Sequence, residues 1–126
     1  MEEVKKTVLV LCDDLMFGSR IGGEVRALGG VCRQVKTGEK FLELAATAGV
    51  VGAAIDLDTA GESLVGIMEK WREVAGAGVS VLGFGSHVDV ESLQRAREAG
   101  CTPVLPRSRF AATLPQLALS WLNNSC

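Results

Sequence analysis

The stretch TVLVLCDD, residues 7–14, decides the fold. From Thr7 to Cys12 it is apolar or β-branched almost throughout, with no regular polar alternation. That pattern suits a central strand buried on both faces, the kind found in parallel sheets covered by helices on either side. The strand ends in two carboxylates, Asp13 and Asp14.

Working outward, the same unit repeats. After Asp14, the positions Phe17, Ile21, Val25 and Leu28 form one helical stripe, and Gly29 and Gly30 stop it. VCRQV, Val31 to Val35, is a more polar strand, and Arg33 and Gln34 suit a sheet edge. Thr37 is placed to cap a helix that buries Phe41, Leu44 and Ala45. VVGAAI, Val50 to Ile55, is a third strand whose small residues imply close packing by neighbouring helices. It delivers Asp56 at its end.

After a loop at residues 57–61, the segment Glu62 to Ala75 gathers Leu64, Ile67, Met68, Trp71 and Ala75 on one face. A turn at Gly76 to Gly78 leads to a strand from Val79 to Phe84, then to the loop GSHVD. Asp89 is placed to cap a helix through Ala99, and Gly100 ends it. A short strand at Pro103 to Leu105 and a loop PRS precede a last helix. In it Leu114, Leu117, Ala118 and Trp121 point inward, Thr113 is the cap, and Pro115 falls in the first turn. Five strands thus alternate with five helices, which predicts a flavodoxin-like, doubly wound parallel sheet of order 2-1-3-4-5 in a three-layer α/β sandwich. Residues 1–126 are expected to form one domain.

In such sheets ligands bind beyond the carboxyl ends of the strands. The residues there are Asp13 and Asp14 after the first strand, Asp56 after the third, Gly85 and Ser86 after the fourth, and Arg107 after the fifth. Asp14 also suits a helix N-cap. An unpaired carboxylate at the end of a buried strand is costly, so Asp56 points to function. His87, the only histidine, lies in a loop and is expected to be exposed without a role.

In its acidic pair, the acid after strand three and the base after strand five, the chain resembles the receiver domains of bacterial response regulators, the CheY-like modules of two-component systems. Matching stretches are VLCDD, AAIDLDTAG, VLGFGS and AGCTPVLPRS, and the resemblance covers essentially the whole chain. It implies that Asp56 accepts a phosphoryl group. Asp13, Asp14, Asp56 and the backbone carbonyl of Asp58 would hold Mg²⁺, which neutralises acids that otherwise repel. Arg107 and Ser86 would meet the phosphoryl oxygens. A histidine kinase or other signalling protein is the implied partner, and a homodimer through strand five and the last two helices is a further expectation. No enzyme activity is implied beyond Mg²⁺-dependent self-phosphorylation.

Four departures qualify the resemblance. Gly85 stands where the family carries a hydroxyl, with Ser86 one residue late. Val104 replaces an aromatic residue. Arg107 and Ser108 replace a lysine-proline pair, and arginine keeps the charge but not the shape. Asp58 adds a negative charge beside the pocket. The alternative reading is a phosphorylation-independent pseudo-receiver that acts as an interaction or dimerisation module.

Bulk properties fit an ordinary soluble globular domain. With 48% hydrophobic and 22% charged residues and a net charge of −2, the chain has no broad basic surface, so nucleic acid is not an expected partner. MEEVKK does not resemble a signal peptide, and no apolar run approaches the roughly 20 residues of a membrane span, so a cytoplasmic location is expected. Cys12, Cys32, Cys101 and Cys126 form no metal or redox motif and are expected to be reduced.

Overall fold

The computed structural model describes residues 4–75 and 78–123. Five strands pair in parallel: β1 (Thr7–Leu11), β2 (Val31–Val35), β3 (Val50–Asp56), β4 (Val81–Gly85) and β5 (Val104–Pro106). Their order is β2-β1-β3-β4-β5, as the alternation of elements predicts. The helices are α1 (Leu15–Ala27), α2 (Gly38–Ala45), the single turn α3 (Leu57–Ala60), α4 (Leu64–Ala75), α5 (Val90–Glu98) and α6 (Arg107–Leu122). None is long and apolar enough to cross a membrane.

Side chains of β1 divide between two cores because a strand projects them alternately. Val8 and Val10 face Ile21 and Val25 of α1 and Phe110, Leu114 and Ala118 of α6. Leu9 and Leu11 face the opposite side, with Phe41 of α2, Ile67, Met68 and Trp71 of α4, and Leu93 of α5. Each fully buried large side chain contributes about 1.5–3 kcal/mol, so the two layers hold the sheet from both sides. The chain leaves β1 through α1 on one face and returns to β3 through α2 on the other. This change of face opens a crevice at the carboxyl ends of β1 and β3.

One small residue of β3, Gly52, is explained by α6. A Cβ on Gly52 would lie 2.4 Å from Trp121 Cδ1, so only glycine lets the indole close onto the sheet. Capping also follows the sequence: the Thr37 side chain accepts from Lys40 N–H and Asp89 from Ser92 N–H. Gly29 and Gly100 take positive φ after α1 and α5, where a side chain would strain the turn.

Several boundaries differ from expectation. Helix α6 begins at Arg107, so PRS is not a loop, Pro115 lies inside the helix, and Thr113 is not its cap. The Thr113 hydroxyl instead donates to Arg109 O at 2.9 Å. An interior proline costs about 3 kcal/mol, which burial of Phe110, Leu114, Ala118 and Leu122 on one continuous face offsets. Trp121 and Leu117 are only half-buried.

Strand β4 starts at Val81, because the Val79 carbonyl accepts from the Trp71 indole and is taken from the ladder. Residues 57–60 form a helical turn, not a loop. Leu28 caps α1 and is exposed rather than buried. Gly76 and Cys126 lie outside the described residues.

Candidate functional site

Strand β3 ends at Asp56, the only charged residue among the described ones that is buried, with 4% of its surface exposed. Burial of an ionised carboxylate requires partners. Oδ1 accepts from Asp58 N–H at 3.0 Å, the bond that starts α3, and from Arg107 Nη2 at 3.1 Å. On the other oxygen, Oδ2, the Cys12 thiol donates at 3.5 Å.

Arg107 reaches this point because α6 begins directly where β5 ends, which leaves its first side chain at the strand edge. The same Nη2 lies 3.3 Å from Asp58 Oδ2, so one guanidinium serves two carboxylates. Its Cζ stands 5.9 Å from the centroid of the Phe84 ring, within cation–π range. Phe84 stacks in turn on Phe17 and Phe110, at 5.2 and 4.6 Å between centroids.

The paired acids after β1 have other commitments. Asp14 Oδ1 accepts from Phe17 N–H at 3.0 Å and caps α1. Asp13 and Thr59 are joined twice: Asp13 N–H donates to Thr59 Oγ1 at 3.1 Å, and the Thr59 hydroxyl donates to Asp13 Oδ1 at 3.3 Å. Gln34 of the edge strand ties the same turn, its Nε2 donating to Cys12 O at 2.8 Å and to Asp14 O at 3.2 Å. A Cβ on Gly18 would fall 2.2 Å from the Gln34 amide, so this glycine makes room for the tie.

The fourth strand end stands apart. Ser86 Oγ accepts from Val88 N–H at 3.4 Å within its own loop. Among the described residues no hydrogen bond joins Ser86 to Asp56 or Arg107. A Cβ on Gly85 would meet Leu57 Cδ1 at 3.3 Å, so a hydroxyl side chain at that position would press on α3. His87 is exposed, as expected.

Burial pushes the Cys12 thiol up to about 11, and the neighbouring Asp56 carboxylate adds to the rise against a hydrogen bond to the Asp14 backbone. Cys12 therefore stays protonated at neutral pH and serves Asp56 as a donor. Neither this thiol, Thr59 nor Gln34 stands out in the sequence as a site residue. The adjacency of Cys12 to the acidic pair was the one available signal.

No protein-family model matches the sequence, and no curated protein does. Solved structures do match. A response regulator receiver protein from Burkholderia phymatum is 23% identical, over 97% of this chain and 98% of that one, with a TM-score of 0.72. A response regulator from Hahella chejuensis aligns over 96% and 98% at 18% identity and a TM-score of 0.80. One from Burkholderia pseudomallei, solved with a phosphorylated aspartic acid, a calcium ion and citrate, aligns over 91% of this chain and 69% of that one at 18% identity and 0.70.

The chain has the response-regulator receiver fold. Whether its acids suit the Mg²⁺ ion that a receiver resemblance implies is a separate question, answered by their donor atoms. A magnesium ion demands near-octahedral oxygen ligands and gives up its waters reluctantly. Among the described residues, no three histidine, cysteine, aspartate or glutamate side chains converge as a metal site. Asp14 Oδ1 is engaged by the α1 cap, Asp13 Oδ1 by Thr59, and Asp56 Oδ1 by Arg107. As these side chains stand, they do not fit the ion.

Proposed function

We propose that this chain is a receiver-type signalling module that meets a protein partner through a standing surface, without a phosphorylation step. The observation that carries this reading is the internal engagement of Asp56: a guanidinium and a backbone N–H hold one oxygen and a thiol meets the other. A carboxylate so engaged is a weakened nucleophile, because three of its roughly four lone-pair sites already meet donors and its charge is shared with a guanidinium. The shortage of switch groups points the same way, since Gly85 carries no hydroxyl and Ser86 bonds within its loop. The partner is a kinase or another signalling protein, or a second copy meeting α5, β5 and α6.

A second reading is favoured by the position of Asp56 at the end of the central strand, in the crevice of the fold. In it Asp56 accepts a phosphoryl group, Arg107 and Ser86 turn to the phosphoryl oxygens, and Asp13, Asp14 and the Asp58 carbonyl take Mg²⁺. Arg107 must first release Asp56. Treatment with acetyl phosphate and Mg²⁺ followed by intact-mass measurement separates the two. No added phosphoryl mass is expected on the native chain. A phosphoryl adduct that disappears in Asp56→Asn would overturn the first reading.

A further inference from the structure

We propose that Arg107 is a built-in counter-cation that excludes divalent metal from the strand-end pocket, so that removing its guanidinium opens the pocket to Mg²⁺. The inference rests on the standing-surface reading above and names the group that keeps the pocket closed. Arg107 Nη2 lies 3.1 Å from Asp56 Oδ1 and 3.3 Å from Asp58 Oδ2. One positive group thus neutralises two carboxylates, the task that a shared metal ion otherwise performs.

Two features favour the internal cation over a dissolved one. Its attachment to the first residue of α6 makes the contact intramolecular, so no translational freedom is lost each time it forms. The guanidinium also rests near the face of Phe84, which is fixed by Phe17 and Phe110 in a three-ring stack. A compact ammonium lacks the planar fork that suits this ring and two acids together. The Thr59 bond and the α1 cap engage only Oδ1 of Asp13 and of Asp14, so the guanidinium is the group whose removal frees carboxylate oxygens for an ion.

The test is a MgCl2 titration of the native chain, Arg107→Ala, Arg107→Lys and the double variant Arg107→Ala/Asp56→Asn, followed by thermal unfolding and backbone amide NMR shifts. The native Tm is expected not to move with Mg²⁺. Arg107→Ala should unfold at lower temperature without metal, gain Tm as Mg²⁺ is added, and bind the ion at least about tenfold more tightly than the native chain. Arg107→Lys, which keeps a cation and hence the fold, should fall between them.

The double variant should not respond. An equal Mg²⁺ response in the native chain and both single variants, whether all bind or none does, overturns the proposal. Phosphorylation of the native chain overturns the standing-surface reading instead, so the two failures are distinguishable.

Discussion

Two regions at the carboxyl edge of the sheet differ in how they are tied. The turns after β1 and β3 and the start of α6 are cross-linked to one another through Asp13–Thr59, Cys12–Asp56 and Arg107–Asp56, with Gln34 holding the first turn from the edge strand. Among the described residues the side chains of the loop after β4 bond only within it and to α5, through Ser86 to Val88 and Asp89 to Ser92, and Val88 is left 74% exposed. Charge is settled within the first region, and among the described residues no side chain of the second hydrogen-bonds into it. Among the described residues, no side-chain hydrogen bond therefore leads from Asp56 to the β4–α5 loop, which it meets only through the β3–β4 ladder, whereas a change at Arg107 alters three elements together.

The largest effect should come from cutting that centre. Arg107→Met leaves Asp56 buried without its counter-charge. Breaking a fully buried pair costs about 3–5 kcal/mol, and because the Arg107 side chain is 34% exposed the loss expected here is about 2 kcal/mol. Combining it with Asp56→Leu should recover most of that, since no stranded charge remains. Urea unfolding of the two variants checks both values. An Arg107→Met protein as stable as the native one would show that the cross-linking is geometric only.

The next effect is a pH dependence that both core thiols share. Burial, the dominant cause in each, raises Cys12 and Cys101 from 9.0 to about 11 in the folded chain. Below pH 9 folded and unfolded states both keep these protons, so the stability they support is fully present. As pH rises from about 9 to 11 the unfolded thiols ionise first, and stability should fall by roughly 2 kcal/mol per thiol. Cys12→Ala and Cys101→Ala should each flatten the alkaline limb, measured by denaturant midpoints across that range. Only Cys12→Ala should also weaken the neutral-pH protein through the site, because it removes the donor to Asp56 Oδ2.

The sheet order, its two helical layers and the strand-end position of Asp56 were legible because they follow from hydrophobic periodicity and from which residues stop each element. The extent of α6 was not. Pro115 and Thr113 look like a helix start, and only the packing of Phe110 on Phe84 and Phe17 shows why the helix begins seven residues earlier than a first-turn Pro115 would place it. Within the site, the acids and Arg107 were legible as residue types at strand ends, but their pairing was not. Spacing cannot say whether Arg107 faces a phosphoryl group or Asp56 itself. Gln34 looked like edge-strand polarity, yet its amide spans to the β1–α1 turn over Gly18, a contact set by tertiary proximity of residues 20 and 22 apart.

The smallest effects decide whether the contrast between the two regions extends to their peripheries. Gln34→Leu removes two donations to backbone carbonyls, at 2.8 and 3.2 Å, and should cost about 1 kcal/mol. Amide exchange at residues 12–15 should quicken as well, because the turn loses its tie to β2. Ser86→Ala removes one long contact inside an exposed loop and should change stability by less than about 0.5 kcal/mol. It should leave exchange in the β1–α1 turn unaltered. If Ser86→Ala instead quickens that turn, the β4–α5 loop is coupled to the acids through packing of Leu57 against Gly85, and the separation drawn from hydrogen bonds alone is wrong.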